Sequence, residues 1–199
     1  MRTFLSVTPP CEVRREIETV QRLLAEAVQA ERLRRSLLVW SLPEKMHLTL
    51  RFLGETRTGQ RAQVEASLRE IAERTVGFPV TLQGVGVFPS WRKPGVVWLG
   101  FAASPALLTL QAAAEAAAQD AGFAAEGRAY TPHLTLAYVH KHASADEARQ
   151  LGEVLRETVQ REEIAKWQQT FLVTRIEFMQ SELLPNGARY SVLASELLR

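Results

Sequence analysis

The sequence predicts an α+β fold: two similar lobes related by a pseudo-two-fold axis, each a mainly antiparallel sheet with helices packed outside, facing a central cleft. Three observations lead there. The tetrapeptide His-Leu-Thr-Leu occurs twice, as His47-Leu48-Thr49-Leu50 and as His133-Leu134-Thr135-Leu136. Each copy sits in a run alternating polar and apolar residues, the pattern of a half-buried strand. The surroundings of the two copies also match, with a strand and a helix before each and a helix and a strand after it.

Taken in order, residues 3–7 read as a short strand. Thr8 offers an N-cap and Pro9 a first helical position, with Val13, Ile17, Val20, Leu24 and Val28 along one stripe. Residues 32–35 are charged and read as a loop or helix end, and 37–40 as a strand before Pro43. The first His-x-Thr strand runs on to Phe52-Leu53-Gly54. Val64, Leu68, Ile71 and Ala72 fall at helical spacing in a second helix that stops near Gly77. Residues 78–101, rich in Val, Phe, Trp and Gly, give two strands around a break at 89–95. Ser104-Pro105 opens a third helix that turns Leu107, Leu110 and Ala114 inward and ends by Gly122. After the second His-x-Thr strand, Ser144 and Glu147 form a capping box for a fourth helix carrying Leu151, Val154 and Leu155. Two last strands, at 170–179 and 189–194, flank the turn Pro185-Asn186-Gly187. No linker or low-complexity stretch divides the chain, so residues 1–199 are expected to form a single domain of two intimately packed lobes.

Composition sets the outer bounds. With 199 residues, 46% hydrophobic and 23% charged, the chain can bury an ordinary globular core. A net charge of +2 does not mark a nucleic-acid coat protein. Most of the basic residues are arginines, which suit bidentate phosphate contacts, although the codon usage of a GC-rich genome explains that equally well. Pro9-Pro10 cuts off any signal-like apolar stretch, and no apolar run approaches a membrane span. Cys11 is the only cysteine, so no internal disulfide or thiolate metal cluster is available. A cytoplasmic monomer with no membrane contact is the expectation.

The repeat itself carries the chemistry. In a strand, residues i and i+2 share a face, so each tetrapeptide aims one imidazole and one hydroxyl the same way while its leucines face the core. A single histidine on a strand is more often structural than catalytic. Repetition of the polar face as well as the apolar one is what packing alone would not demand. Two imidazoles brought together can serve as general acid and general base, with two hydroxyls donating to an oxyanion. A cyclic phosphodiester suits such a site because it carries its own electrophile. Zinc is the competing reading, but neither motif has a second metal-type ligand beside its histidine. The loop pair His140 and His142 reads as solvated. No metal and no cofactor are expected.

On these residues the chain resembles the two-histidine (2H) phosphoesterase superfamily, and within it the LigT-like RNA 2′,3′-cyclic phosphodiesterases, historically called 2′-5′ RNA ligases. Nearly the whole chain takes part. The similarity includes Arg2-Thr3-Phe4-Leu5-Ser6-Val7, the first motif with Arg51-Phe52-Leu53-Gly54-Glu55, and Gly86-Val87-Phe88-Pro89 with Val96-Val97-Trp98-Leu99-Gly100. It continues through Pro132 and the second motif to Gly187-Ala188-Arg189-Tyr190. The resemblance implies metal-independent opening of RNA 2′,3′-cyclic phosphate ends, or of cyclic nucleotides, to 2′-phosphates. By analogy His47 is the general acid, His133 the general base, and Thr49 and Thr135 hold the phosphate. Tyr130 and Phe52 are positions where family members offer rings near the base or the core; for Phe52 the core is expected, since it shares the leucine face. Family members commonly carry an arginine where this chain has Tyr138. Arg51, expected on the face of His47 and Thr49, is the first candidate to supply that charge, followed by Lys141 and Arg128. Two further readings stand beside hydrolysis: a 2′-5′ RNA ligase joining tRNA halves, and an RNA-end binding module without turnover.

Overall fold

The computed structural model describes residues 1–184 and 187–199. In chain order the elements are β1 (Arg2–Val7), α1 (Cys11–Ala30), β2 (Leu38–Trp40), β3 (Leu48–Glu55), α2 (Thr58–Arg74), β4 (Phe78–Ser90), β5 (Lys93–Phe101), α3 (Pro105–Asp120), β6 (His133–Val139), α4 (Ala145–Thr158), α5 (Glu162–Ala165), β7 (Gln168–Val173), β8 (Arg175–Leu184) and β9 (Gly187–Leu197). Short 3-10 turns at Arg35–Leu37 and Pro43–Lys45 flank β2.

The strands form two antiparallel sheets, one ordered β3-β1-β8-β9 and the other β2-β6-β5-β4-β7. Each sheet holds one His-x-Thr motif strand, β3 paired with β1 and β6 paired with β5. α2 and α3 pack on the first sheet, and α4 with α1 on the second. The α+β class, the antiparallel sheets and the helices outside them are as the sequence predicts.

The lobes are not consecutive halves of the chain. The region read as one strand over 170–179 is two, because Thr174 breaks it: β7 pairs with β4 in the second sheet, while β8 pairs with β1 in the first. β2 likewise leaves the N-terminal part to pair with β6. Chain crossings at both ends therefore lace the sheets together, and one continuous apolar core runs from Leu5, Leu48 and Phe178 of the first to Leu99, Leu134 and Phe171 of the second.

Of the three helix starts expected from the sequence, two are capped as expected and one is not. Ser144 accepts from the Glu147 N–H while the Glu147 carboxylate accepts from Ser144 N–H, the expected reciprocal cap of α4. Ser104 accepts from Leu107 N–H ahead of Pro105 at the start of α3. Thr8, expected to cap α1, does not: its hydroxyl donates to Glu177 of β8 and the helix begins at Cys11 after Pro10. A carboxylate on the neighbouring strand outcompetes a cap whose geometry Pro9-Pro10 pushes out of reach. Of the expected turn at 185–187, Pro185 and Asn186 lie outside the described residues.

Candidate active site

Both motif strands carry the same distortion, and it decides what faces the cleft. In the β1–β3 ladder Ser6 pairs with Thr49 but Leu5 pairs with Arg51, so Leu50 is an extra residue. In the β5–β6 ladder Trp98 pairs with Thr135 but Val97 pairs with Ala137, so Leu136 is extra. A bulge places two successive side chains on nearly one face and inverts the alternation beyond it. The carbonyl of Leu136, drawn out of the ladder, accepts from the buried Gln21 side chain and from Ser41 N–H. Beyond the bulges, Phe52 and Tyr138 turn to the cleft rim, 43% and 49% exposed. They are related by the same offset as the histidines.

Two sequence expectations fall here. Phe52 does not share the leucine face. Arg51 does not share the histidine face: it is 7% exposed and points toward α3, where it ion-pairs with Glu115 and donates to the carbonyls of Phe52 (2.5 Å) and Ala124. Glu126 lies 3.9 Å away on the same guanidinium. Strict alternation puts Arg51 over the phosphate; one inserted leucine puts it on the other side of the sheet.

Between the sheets lies a cleft of about 670 Å³, lined by His47, Thr49, His133 and Thr135 together. The two histidines are held in matching ways. His47 Nδ1–H donates to the Lys45 carbonyl at 2.8 Å, and His133 Nδ1–H to the Thr131 carbonyl at 2.7 Å. A carbonyl only accepts, so both Nδ1 atoms carry the proton and both Nε2 atoms remain for chemistry. Rings fix the orientation further. Phe4 stacks on His47 with centroids 4.7 Å apart, and Tyr190 meets it edge-on at 4.8 Å. Phe88 meets His133 edge-on at 5.0 Å, with Trp98 tilted behind at 6.2 Å. Trp98 lies directly over Gly86, where a Cβ would come within 2.2 Å of its ring; no other residue leaves room for that platform.

Burial pushes the His47 pKa below the ordinary imidazole range, and the nearby His133 charge adds to the effect, against the Lys45 carbonyl that favours the charged ring. Tyr130 is not a cleft residue. Its hydroxyl donates to the Thr49 carbonyl at 3.1 Å, tying the segment before β6 to β3, and burial pushes its pKa up. Arg128 is exposed beside Glu126 (3.2 Å), and neither it nor Lys141 lines the cleft.

Among the described residues, the cations that do line the cleft are Arg2 and Lys45, and no carboxylate or thiolate lines it. No group of three or more His, Cys, Asp or Glu is placed to hold a metal ion among those residues. The sequence carried a signal for Lys45, two residues before His47 in the polar alternation, and for Tyr190, in the closing block. Arg2 stood at the head of the opening block, but nothing assigned it to the site. Among the described residues, no helix is long and apolar enough to cross a membrane.

Comparison with known proteins agrees with this geometry. The family model described as the 2′-5′ RNA ligase superfamily matches residues 9–183. An RNA 2′,3′-cyclic phosphodiesterase of Methanothermobacter thermautotrophicus is 32% identical over 75% of this chain and 76% of its own. Another of that name, from Thermotoga maritima, is 30% identical over 97% and 93%. The crystal structure of E. coli LigT complexed with 3′-AMP superimposes with a TM-score of 0.73, covering 99% of this chain and 97% of that one at 23% identity. That similarity concerns the fold.

Proposed function

The chain belongs to the 2′-5′ RNA ligase superfamily, and from that membership and the cleft we propose that it hydrolyses RNA 2′,3′-cyclic phosphate ends to 2′-phosphates. The observation that supports this best is the pair of imidazoles on one cleft, each with Nδ1 occupied by a backbone carbonyl two residues upstream. One neutral ring can accept a proton at Nε2 and one charged ring can donate from it.

In the reaction we assign, His133 Nε2 takes a proton from water as the water oxygen bonds to phosphorus. The bond from phosphorus to the 3′ oxygen breaks on the opposite side, and His47 Nε2–H protonates that oxygen as it leaves. The Thr49 and Thr135 hydroxyls donate to the non-bridging oxygens, where charge accumulates. After turnover His133 is charged and His47 neutral, and exchange with solvent restores both.

The test is turnover of a nucleoside 2′,3′-cyclic phosphate with the product identified as 2′- or 3′-phosphate. The 2′ isomer is expected. Tight binding without turnover would make the protein an RNA-end binding module instead. Because acid, base and oxyanion donors are all side chains of this chain, the rate is expected to survive exhaustive chelation; loss on chelation with recovery on adding zinc or manganese would sink the mechanism.

His47 sets a second test. Its burial disfavours the charged form in the empty cleft, whereas a bound phosphodiester anion favours it. The alkaline limb of kcat/KM, which reports the free protein, is therefore expected at lower pH than the alkaline limb of kcat, which reports the complex. Coincident limbs would show that the substrate's charge does not reach His47.

A further inference from the structure

From the unpartnered guanidinium of Arg2 above Phe52, we infer that the cleft holds a second phosphate-binding position, which recognises the phosphate on the 5′ side of the terminal nucleoside. This inference rests on the proposed cyclic-phosphate reaction and names the substrate it prefers: an RNA end, or a 5′-phosphorylated cyclic nucleotide, over a cyclic nucleoside phosphate with a free 5′-hydroxyl.

The neighbours of Arg2 explain why it is free. In the sheet, Arg2 pairs with Glu55 on one side and Ser181 on the other, and Glu182 follows Ser181. Glu55 takes the Met1 ammonium at 3.0 Å, and Glu182, which faces the other side of the sheet, pairs with Arg189. Among the described residues Arg2 makes no ion pair and no side-chain hydrogen bond, although Glu55 is its direct cross-strand neighbour. Its guanidinium instead lies 5.4 Å from the centroid of the Phe52 ring, an orientation that leaves its planar donor edge for a ligand.

Placement relative to the reacting centre fits one nucleotide. His47, Phe4 and Phe52 form a row of rings, 28° apart between the first two and 10° between the last two, and Arg2 closes its far end. Arg2 and Phe4 are two residues apart on the same face of β1, roughly 7 Å along the strand, the order of one nucleotide step. Phe52 pairs directly with Phe4 beyond the bulge at Leu50, and Arg2 shares the Phe4 face by strand alternation, so Arg2 and Phe52 both line the cleft. No acid lines the cleft among the described residues, the Glu55 carboxylate opposite Arg2 is paired with the Met1 ammonium, and the half-exposed Phe52 offers apolar contact to the sugar between the two phosphates.

The experiment compares kcat/KM for two substrates that differ by one group: a nucleoside 2′,3′-cyclic phosphate with a 5′-hydroxyl and the same compound with a 5′-phosphate. The full chain is expected to prefer the 5′-phosphorylated substrate by about tenfold, a preference that shrinks as salt is raised. In Arg2→Gln the ratio is expected to fall to near one, and in Arg2→Lys to an intermediate value, since the charge remains without the fork. Arg2 is an exposed residue outside the core, and an unaltered thermal transition checks that the variants fold. Activity on both substrates with a ratio that Arg2→Gln leaves in place would overturn the second phosphate position alone. A wild-type chain inert on both would overturn the phosphodiesterase reading and this inference with it.

Discussion

Replacing His133 by alanine is expected to lower kcat/KM by roughly 10²–10⁴-fold and to remove the rise in rate at the acid end of the pH profile. His47→Ala should cost a similar factor but remove the fall at the alkaline end. The asymmetry follows from the protonation each ring must have: the base acts only when neutral, so its titration shapes the acid limb, and the acid acts only when charged. A substrate whose 3′ bridging atom is sulfur separates the roles, because a thiolate departs without a proton. That substrate should largely restore His47→Ala and leave His133→Ala slow. Restoration of His133→Ala instead would interchange the two assignments, a result the lowered pKa of His47 makes worth seeking. Full activity in either variant would end the two-histidine mechanism.

How far the sequence reached can be traced to kinds of information. The repeated His-x-Thr pairs were legible because strand alternation is a local property, and they do line one cleft. The capping box at Ser144 and the helix start at Ser104 were legible for the same reason. The bulges were not. An inserted Leu50 or Leu136 has no composition of its own; it shows only when the partner strand supplies its register. That single missing fact misplaced Arg51 and Phe52 in opposite directions. Thr174, where β7 and β8 part company for different sheets, is equally silent in sequence, because the strands on either side of it have similar apolar content. Arg2 headed the opening block, but its place in the cleft was not legible because it depends on which neighbours hold other cations, a matter that no spacing rule contains. Tyr190 had a sequence signal in the closing block, but its contact with His47 depends on β9 lying next to β8.

Arg51 gives the second large expected effect, and it is one of stability. Its guanidinium joins the first motif strand to α3 through Glu115 and to the segment leading to the second motif through the Ala124 carbonyl and Glu126. Removing one partner of such a pair strands the other, at a cost of roughly 3–5 kcal/mol when both are fully buried. Glu115 retains some solvent contact, so Arg51→Met is expected to lose about 3 kcal/mol in urea unfolding. The pH dependence follows from Glu115. Burial works against its charge, but hydrogen bonds from Gln119 and from the Glu126 N–H, together with Arg51, hold its pKa below the usual carboxylate range. A lowered folded-state pKa means stability that is fully present above the unfolded value, about 4.3, and that disappears as pH falls through the folded value. The gap between wild type and Arg51→Met should therefore be full at neutral pH and narrow as the medium is acidified through that window. Affinity for inorganic phosphate, measured where the variant is still folded, should change little, because no atom of Arg51 lines the cleft. A variant as stable as wild type but weak in phosphate binding would mean that Arg51 turns into the cleft in solution, and that the bulge at Leu50 does not hold it against α3.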